Sequence, residues 1–437
     1  MFRRFRNNQD FFEELHQQYQ SQMGKKVLLD CEVPVLPSYH KLLEAKKKCY
    51  PHDLEISERG ARVKLQALLD LTVQKILQIT GTQIDSSTEG LKPIKFEFCK
   101  ETAEYIKQEE AALKEEIKNI DSTKWAGLEI SHELHMTMID GKVATIITDT
   151  SSASACNICL AKPTEMNKLS EVFSRPVRED VYKYGLSTLH MWIRCMECIL
   201  HISYNMDFEL WTARGANKQL KAAKKHLTQE EFKQQMGILV DYVKQVFGTT
   251  NDGNTARRFF RDYEKSAEIT KIDKGLLKHF AVILQTISSR CAIDIEKFRT
   301  YCRETAEIFV HLYPWFYMPA SVHKLLIHGA DICHHFGLLP IGILSEEAGE
   351  ARNKEFRRVR EYHTRKFNRM KTNEDLLHNF LISSDPYLSH IRPKYSNSKQ
   401  FDFFPDVKEL LLLPEVVTEE TENMDLQELQ PEHDPLM

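Results

Sequence analysis

The sequence predicts an α+β protein, predominantly helical, in which a small strand-bearing unit precedes a long helical stretch and two distant pairs of potential zinc ligands. Three observations predict it. Apolar residues alternate over short stretches before residue 150, then recur with helical spacing over long stretches from residue 177 onward. Cys156-Asn157-Ile158-Cys159 and His323-Lys324-Leu325-Leu326-Ile327-His328 offer two thiols and two imidazoles from distant parts of the chain. Asp140 and Glu350 bracket that quartet.

Residues 1–90 read as mostly helical and polar. The basic run Lys46-Lys47-Lys48 precedes Pro51, residues 63–78 carry helical apolar spacing, and 81–91 read as a loop. Ile94, Phe96 and Phe98 alternate with Lys95 and Glu97, which predicts a strand, and 101–120 is a charged helix. Leu128, Ile130, His132, Leu134, Met136 and Met138 alternate again and end at Ile139-Asp140-Gly141-Lys142. Gly141 permits a tight turn, so 143–147 is expected to return as a strand. Helices are expected over 182–204, 229–247, 276–289 and 293–312. After a linker at 340–344, residues 345–370 read as one long helix, with Ser345 as N-cap and Glu346 and Glu347 in the first turn. Beyond Pro414 the chain is acidic and poor in aromatics, and disorder is expected.

Composition narrows the class. The 437 residues are 42% hydrophobic and 28% charged with a net charge of −4, ordinary values for a soluble globular chain. The average hides a basic stretch at 352–371 and an acidic last two dozen residues, and such local fields govern binding. The first residues run into Asn, Gln, Asp and Glu, so no secretory signal is expected, nor is any membrane span. Ten cysteines without such a signal point to reduced thiols, some of them metal ligands, in nucleus or cytoplasm.

Four soft or borderline ligands in two pairs are what a closed tetrahedral zinc site needs. Cys195 and Cys198 lie in an apolar helical stretch and read as buried thiols, and Cys333-His334-His335 is a lower-ranked source of ligand. On the last long helix Glu350 has Lys354, Arg357 and Arg358 at +4, +7 and +8, with Arg352, Arg360, Arg365, Lys366 and Arg369 around them. Basic residues so placed neutralise phosphates without reading sequence; paired with acids, they make a solvated helix. Asp140 at a strand end is a candidate ligand for a hard cation or an ordinary hairpin residue. Residues 248–258, with Arg257 and Arg258, form a turn and a basic helix start that can meet a phosphate or merely join two helices. No P-loop lysine, nucleophile elbow, dinucleotide fingerprint or HExxH motif is present.

In this order the motifs resemble the Transib-type transposases and the recombinase large subunit of V(D)J recombination, with the nearest likeness to uncharacterised animal transposase-like proteins. The resemblance covers about residues 94–389. It implies an RNase H-like core carrying a DDE acidic triad and interrupted by a helical zinc-binding insertion. On that likeness Cys156, Cys159, His323 and His328 match the zinc ligands, Asp140 the second acid and Glu350 the last. Asp252 to Arg258 match a Gly-Asn-x-Ala-Arg element. The first Asp, in an Asp-Gly context on the first strand of that core, has no counterpart; its segment is missing, and Asp85 in Ile84-Asp85-Ser86-Ser87 is a poor substitute.

The implied organisation is a helical N-terminal region at 1–90, a partial RNase H-like core at 91–150 and a zinc-binding insertion at 151–340. The basic helix and end of the core follow at 341–395, then an acidic tail at 396–437. The implied function is a transposase-derived, nuclear DNA-binding protein with structural zinc, magnesium or manganese at Asp140 and Glu350 if catalytic, and impaired strand transfer. Its DNA contacts would be Lys354, Arg357, Arg358, Arg360, Arg257 and Arg258, and the relatives' dimeric habit makes a homodimer expected. Two alternatives share the motifs: a domesticated zinc-stabilised DNA- or protein-interaction module without catalysis, and a truncated version of an active metal-dependent transposase.

Overall fold

The computed structural model describes residues 38–80, 92–134, 139, 141–244, 248–337, 339–391 and 403–412. Asp140, Asp85, the first 37 residues and everything beyond Leu412 lie outside them, so only 403–412 of the expected acidic tail is described. The described chain is mostly helical with small antiparallel sheets, an α+β protein of predominantly helical content.

The first part runs α1 (Tyr39–Lys47), β1 (Leu54–Ile56), β2 (Gly60–Val63), α2 (Leu65–Thr80), β3 (Lys95–Glu97) and α3 (Ala103–Lys118). It continues with β4 (Thr123–Trp125), β5 (Leu128–Ile130) and α4 (Gly141–Ile147). The order β1-β2-β3 makes one antiparallel sheet, with Ile56 opposite Ala61 and Ala61 opposite Phe96. Gly60 lets β3 approach, since a Cβ there would lie 2.0 Å from the Phe96 carbonyl oxygen. The β1–β2 hairpin sits between the two helices of the described N-terminal region and was not expected from the sequence. A correction falls at 143–147, which is helix α4 rather than a returning strand. It packs on α3, and that tertiary contact overrides a β-branched run.

Next come α5 (Leu169–Phe173), a 3-10 turn at Glu179–Tyr184, α6 (Thr188–Asn205), α7 (Asn217–Met236), β6 (Val243–Lys244) and β7 (Gly248–Thr249). The helix expected over 182–204 is therefore split, with Gly185 at φ 64° and Ser187 capping α6 by accepting from the His190 backbone N–H. The helix expected over 229–247 ends at Gly237, which takes a left-handed φ of 62° and closes α7.

The rest is α8 (Gly253–Arg261), α9 (Tyr263–Thr270), α10 (Lys274–Ser288), β8 (Ala292–Ile293), α11 (Ile295–Leu312) and α12 (Ala320–Phe336), followed by α13 (Glu347–Tyr362), α14 (Arg369–Ser383), α15 (Pro386–Ile391), α16 (Pro405–Leu410) and β9 (Leu411–Leu412). The long helix expected over 345–370 is two helices. Between them Thr364 is buried, the Arg365 backbone N–H donates to Asp375 Oδ2 at 2.6 Å, and Asn368 caps α14. Those contacts outweigh continuation of the helix.

Two cores result. The large one gathers buried side chains from Cys156 to Leu411, including the fully buried Tyr204, Phe259, Phe280, Phe298 and Phe309. Within it α11 packs on α12, α12 on α6, and α8 on α6. The small one joins an early and a late segment: Ala61, Val63 and Leu68 meet Leu377 and Leu381, while Phe356 on α13 stacks on Phe380 and meets Phe96 of β3 edge-on at 5.1 Å. Segments some 300 residues apart (Asn373 Nδ2 donates to the Ser57 carbonyl oxygen at 2.9 Å) thus build one unit around the intervening helices.

Candidate metal centre

The quartet is assembled by a turn and a helix. Cys156 N–H donates to the Ala161 carbonyl oxygen at 2.9 Å and Leu160 N–H to the Cys156 carbonyl oxygen at 3.0 Å, closing a tight loop around both thiols. Leu160 takes a left-handed φ of 57° to complete it, a conformation usually left to glycine. Arg178 fastens the loop from outside. Its guanidinium donates to the carbonyl oxygens of Asn157 and Thr148, and its backbone N–H to that of Ile158 at 3.1 Å. Helix α12 supplies the imidazoles. Five residues carry a helix about 140° beyond a full turn, so His323 and His328 flank the groove facing the loop, with ring centroids 5.4 Å apart.

All four ligand residues are buried, and one ligand atom from each lies within 4.8 Å of the others. A tetrahedral zinc with bonds of about 2.0–2.3 Å sets its ligand atoms about 3.3–3.8 Å apart, so the group stands about 1 Å from closed coordination. The Cys159 thiol contacts His323 Nε2 at 3.2 Å. Among the described residues His328 Nε2 and His323 Nδ1 are buried without a hydrogen-bond partner. A buried orphan lone pair is costly, and a cation in the quartet would satisfy that of His328. The residues fit a metal ion.

Electrostatics point the same way. The Cys156 thiol is held down at about 7: the Cys159 thiol donates to its sulfur, the Cys159 and Ile158 backbone N–H groups add their own hydrogen bonds, and Lys324 attracts the charge. Metal ligation needs the thiolate, which this environment favours. Cys159 is pushed up by its donation to Cys156 and by burial. Burial lowers His323, keeping the imidazole neutral and able to bind metal. Lys324, on the same helix, is pushed down to about 8 by burial.

The other expected site residues fall as follows. Cys195 and Cys198 are fully buried with raised thiol values, and they stay out of the quartet, as does buried Cys333. Glu350 is exposed in the first turn of α13, and its N–H donates to the Glu346 carbonyl oxygen at 3.0 Å. Lys354, Arg357, Arg358 and Arg360 share the exposed side of that helix, while Phe356 and Val359 face the small core. Arg360 lies over the Phe98 ring at 4.1 Å. Asp140 falls outside the described residues; its neighbour Ile139 packs against the large core and Gly141 opens α4.

Arg257 and Arg258 are engaged within the protein. Arg257 pairs with Glu347 and faces the Trp192 ring at 5.7 Å, while Arg258 donates to the carbonyl oxygens of Met236 and Gly237 at the C-terminal end of α7. Asp252 caps α8 by accepting from Thr255 N–H at 2.8 Å, which satisfies the donor a phosphate would use.

Sequence reasoning missed the clasp that seats α13. His190 Nδ1 lies 2.8 Å from Glu346 Oε1, the Ser187 hydroxyl donates to the same oxygen, and the Thr188 hydroxyl donates to Ser345 Oγ at 3.0 Å. These partners stand more than 150 residues apart, so no local spacing announces them. Lys324 was missed for the same reason, and Arg178 because its partners are backbone carbonyls, which carry no residue signature. Among the described residues no helix is long and apolar enough to cross a membrane. Compared with known proteins, the chain matches no protein-family model and no curated protein.

Proposed function

We propose that the chain is a DNA-binding protein derived from a Transib-type transposase or V(D)J-recombinase-like ancestor. Its Cys156, Cys159, His323 and His328 hold a structural zinc ion, and its strand-transfer chemistry is impaired. The observation that carries the reading is the buried Cys2His2 group, whose two halves come from residues 164 apart. Two thiols and two imidazoles with a closed, water-excluding surround suit zinc and leave no open position for catalysis at the metal. The clip ties the loop after Asp140 to the helix before Glu350, the arrangement that a helical insertion in an RNase H-like core would need.

Placement of the basic helix supports the DNA half. Its apolar side rests on the small sheet through Phe356 and Phe96, and its outer side presents Glu350, Lys354, Arg357 and Arg358. A carboxylate among cations would hold magnesium or manganese beside a phosphate backbone, and such ions activate water or a 3′ hydroxyl toward a phosphodiester. Glu350 is exposed, and among the described residues it belongs to no group of three or more potential metal ligands. With the first Asp of the triad unmatched in the sequence, one carboxylate and Asp140 make a poor two-ion site.

Nicking of supercoiled plasmid with magnesium or manganese, alongside binding of labelled duplex across a salt series, tests the reading. Salt-dependent binding without nicking is the expected result. Nicking that disappears in Glu350→Gln would overturn the impaired-activity half, and no binding at low salt would overturn the DNA half. The non-catalytic alternative of a protein-interaction module would then stand.

A further inference from the structure

Outside the sites above, the molecule's most exposed large apolar side chain among the described residues is Phe367, 88% accessible, on the turn between α13 and α14. Its ring stacks on no other ring among the described residues. The turn that carries it is held firmly on both sides. Arg365 is locked onto Asp375 through its backbone N–H and its guanidinium, with Glu374 adding a further bond. Thr364 Oγ1 donates to the Arg360 carbonyl oxygen at 3.0 Å, and Thr372 Oγ1 to that of Arg365 at 3.2 Å. Asn368 accepts from Lys371 N–H at 2.8 Å. A chain under no constraint would fold a phenyl ring back onto apolar surface. Here the flanking residues hold it out in water, already ordered for a partner.

The charges around the ring choose among partners. Arg365 and Lys371 are neutralised by Asp375 and Glu374. Lys366 and Arg369, on either side of Phe367, are exposed and form no ion pair among the described residues. A protein pocket built for Phe367 would favour a continuous apolar rim, whereas here a cation stands in sequence between the ring and each of the neighbouring exposed apolar side chains, Tyr362 and Met370. That pattern matches a nucleobase between two phosphates: the ring supplies a stacking face and the cations meet the backbone.

We propose that Phe367 is a stacking platform for an unpaired base of DNA, with Lys366 and Arg369 on the adjoining phosphates; this rests on the DNA-binding reading above. A fully paired duplex keeps its bases stacked internally and gains little from the ring. The preference is therefore for DNA with a single-stranded tail or a distorted junction.

The test uses the full chain and two labelled oligonucleotides of equal length, one fully paired and one ending in an unpaired tail. Binding is followed by fluorescence anisotropy for the wild type, Phe367→Ala and Phe367→Trp. Phe367→Ala is expected to bind the tailed DNA about tenfold more weakly, to bind duplex within about twofold of the wild type, and to melt at the wild-type temperature. Phe367→Trp is expected to retain tail binding, with its emission quenched by tailed DNA and not by duplex. If the wild type binds neither oligonucleotide, the DNA reading fails and this inference with it. If the wild type binds both and Phe367→Ala matches it on both, this inference alone fails. Loss of self-association in Phe367→Ala by light scattering, or a Phe367→Trp signal with anionic vesicles but not with tailed DNA, would assign the ring to protein or lipid and overturn it.

Discussion

Replacing His328 by Ala removes one ligand of the proposed clip while leaving the rest of α12 intact. The residue is 2% exposed and its Nε2 has no hydrogen-bond partner among the described residues, so a metal ion is the partner proposed for that nitrogen. A metal that binds only the folded state stabilises it by about 4 kcal/mol when its free concentration stands about a thousandfold above Kd. For a cooperative unit of about 150–250 residues, that corresponds to a melting shift of roughly 8–16 °C. Cys198→Ala is the control, a buried thiol of the same core outside the quartet. Differential scanning calorimetry with and without a strong chelator reads both. The wild type and Cys198→Ala should lose most of that shift on chelation. His328→Ala should melt low from the start and respond little to chelator. If His328→Ala keeps the wild-type melting temperature and the wild-type response to chelator, the structural-metal reasoning is wrong.

Other expectations follow from the same geometry. Asp385 lies buried beside the Lys75 ammonium, 3.8 Å away, and caps α15 by accepting from Leu388 N–H, so Asp385→Ala should cost about 3–5 kcal/mol in urea denaturation; a loss under about 1 kcal/mol would contradict the buried pair. Burial lowers His201, His279 and His378, so the unfolded chain binds more protons than the folded one as pH falls toward the ordinary imidazole value. Stability should therefore drop as pH falls below about 6.5, read as a lower urea midpoint at acid pH, and a flat or rising midpoint would refute it. The double substitution Lys354→Ala with Arg358→Ala should weaken duplex binding whatever the sequence and flatten the slope of log K against log salt by about 0.9 for each phosphate no longer neutralised; an unchanged slope would remove that face from the interface.

What the sequence made legible follows from the range over which each signal acts. The quartet was readable because CxxC and HxxxxH are local spacings, and burial of Cys195 and Cys198 because they lie three apart in a mainly apolar helical stretch. Helices α2, α3, α10 and α11 were readable from their period, within a few residues at each end. The hairpin of β1 and β2 was not, because strands of three and four residues are too short to display alternation, and their pairing with β3 crosses helix α2. At 143–147 a run of Val, Ile and Thr reads as strand, yet α3 offers a helix-packing surface that the sequence does not reveal. The breaks at Gly237 and between Tyr362 and Arg369 follow a single left-handed glycine and a pair of carboxylates on the next helix, Asp375 and Glu374. The Glu346–His190 clasp joins residues 156 apart and has no local signature at all.

X-ray absorption at the zinc edge of the purified protein tests the central claim most directly. One zinc per chain, with two sulfur ligands at about 2.3 Å and two nitrogen ligands at about 2.0 Å, is the expected result, and Cys156→Ser should shift the sulfur count from two to one or release the metal. A protein that carries no stoichiometric zinc, or one whose zinc is surrounded by oxygen and nitrogen alone, would contradict it.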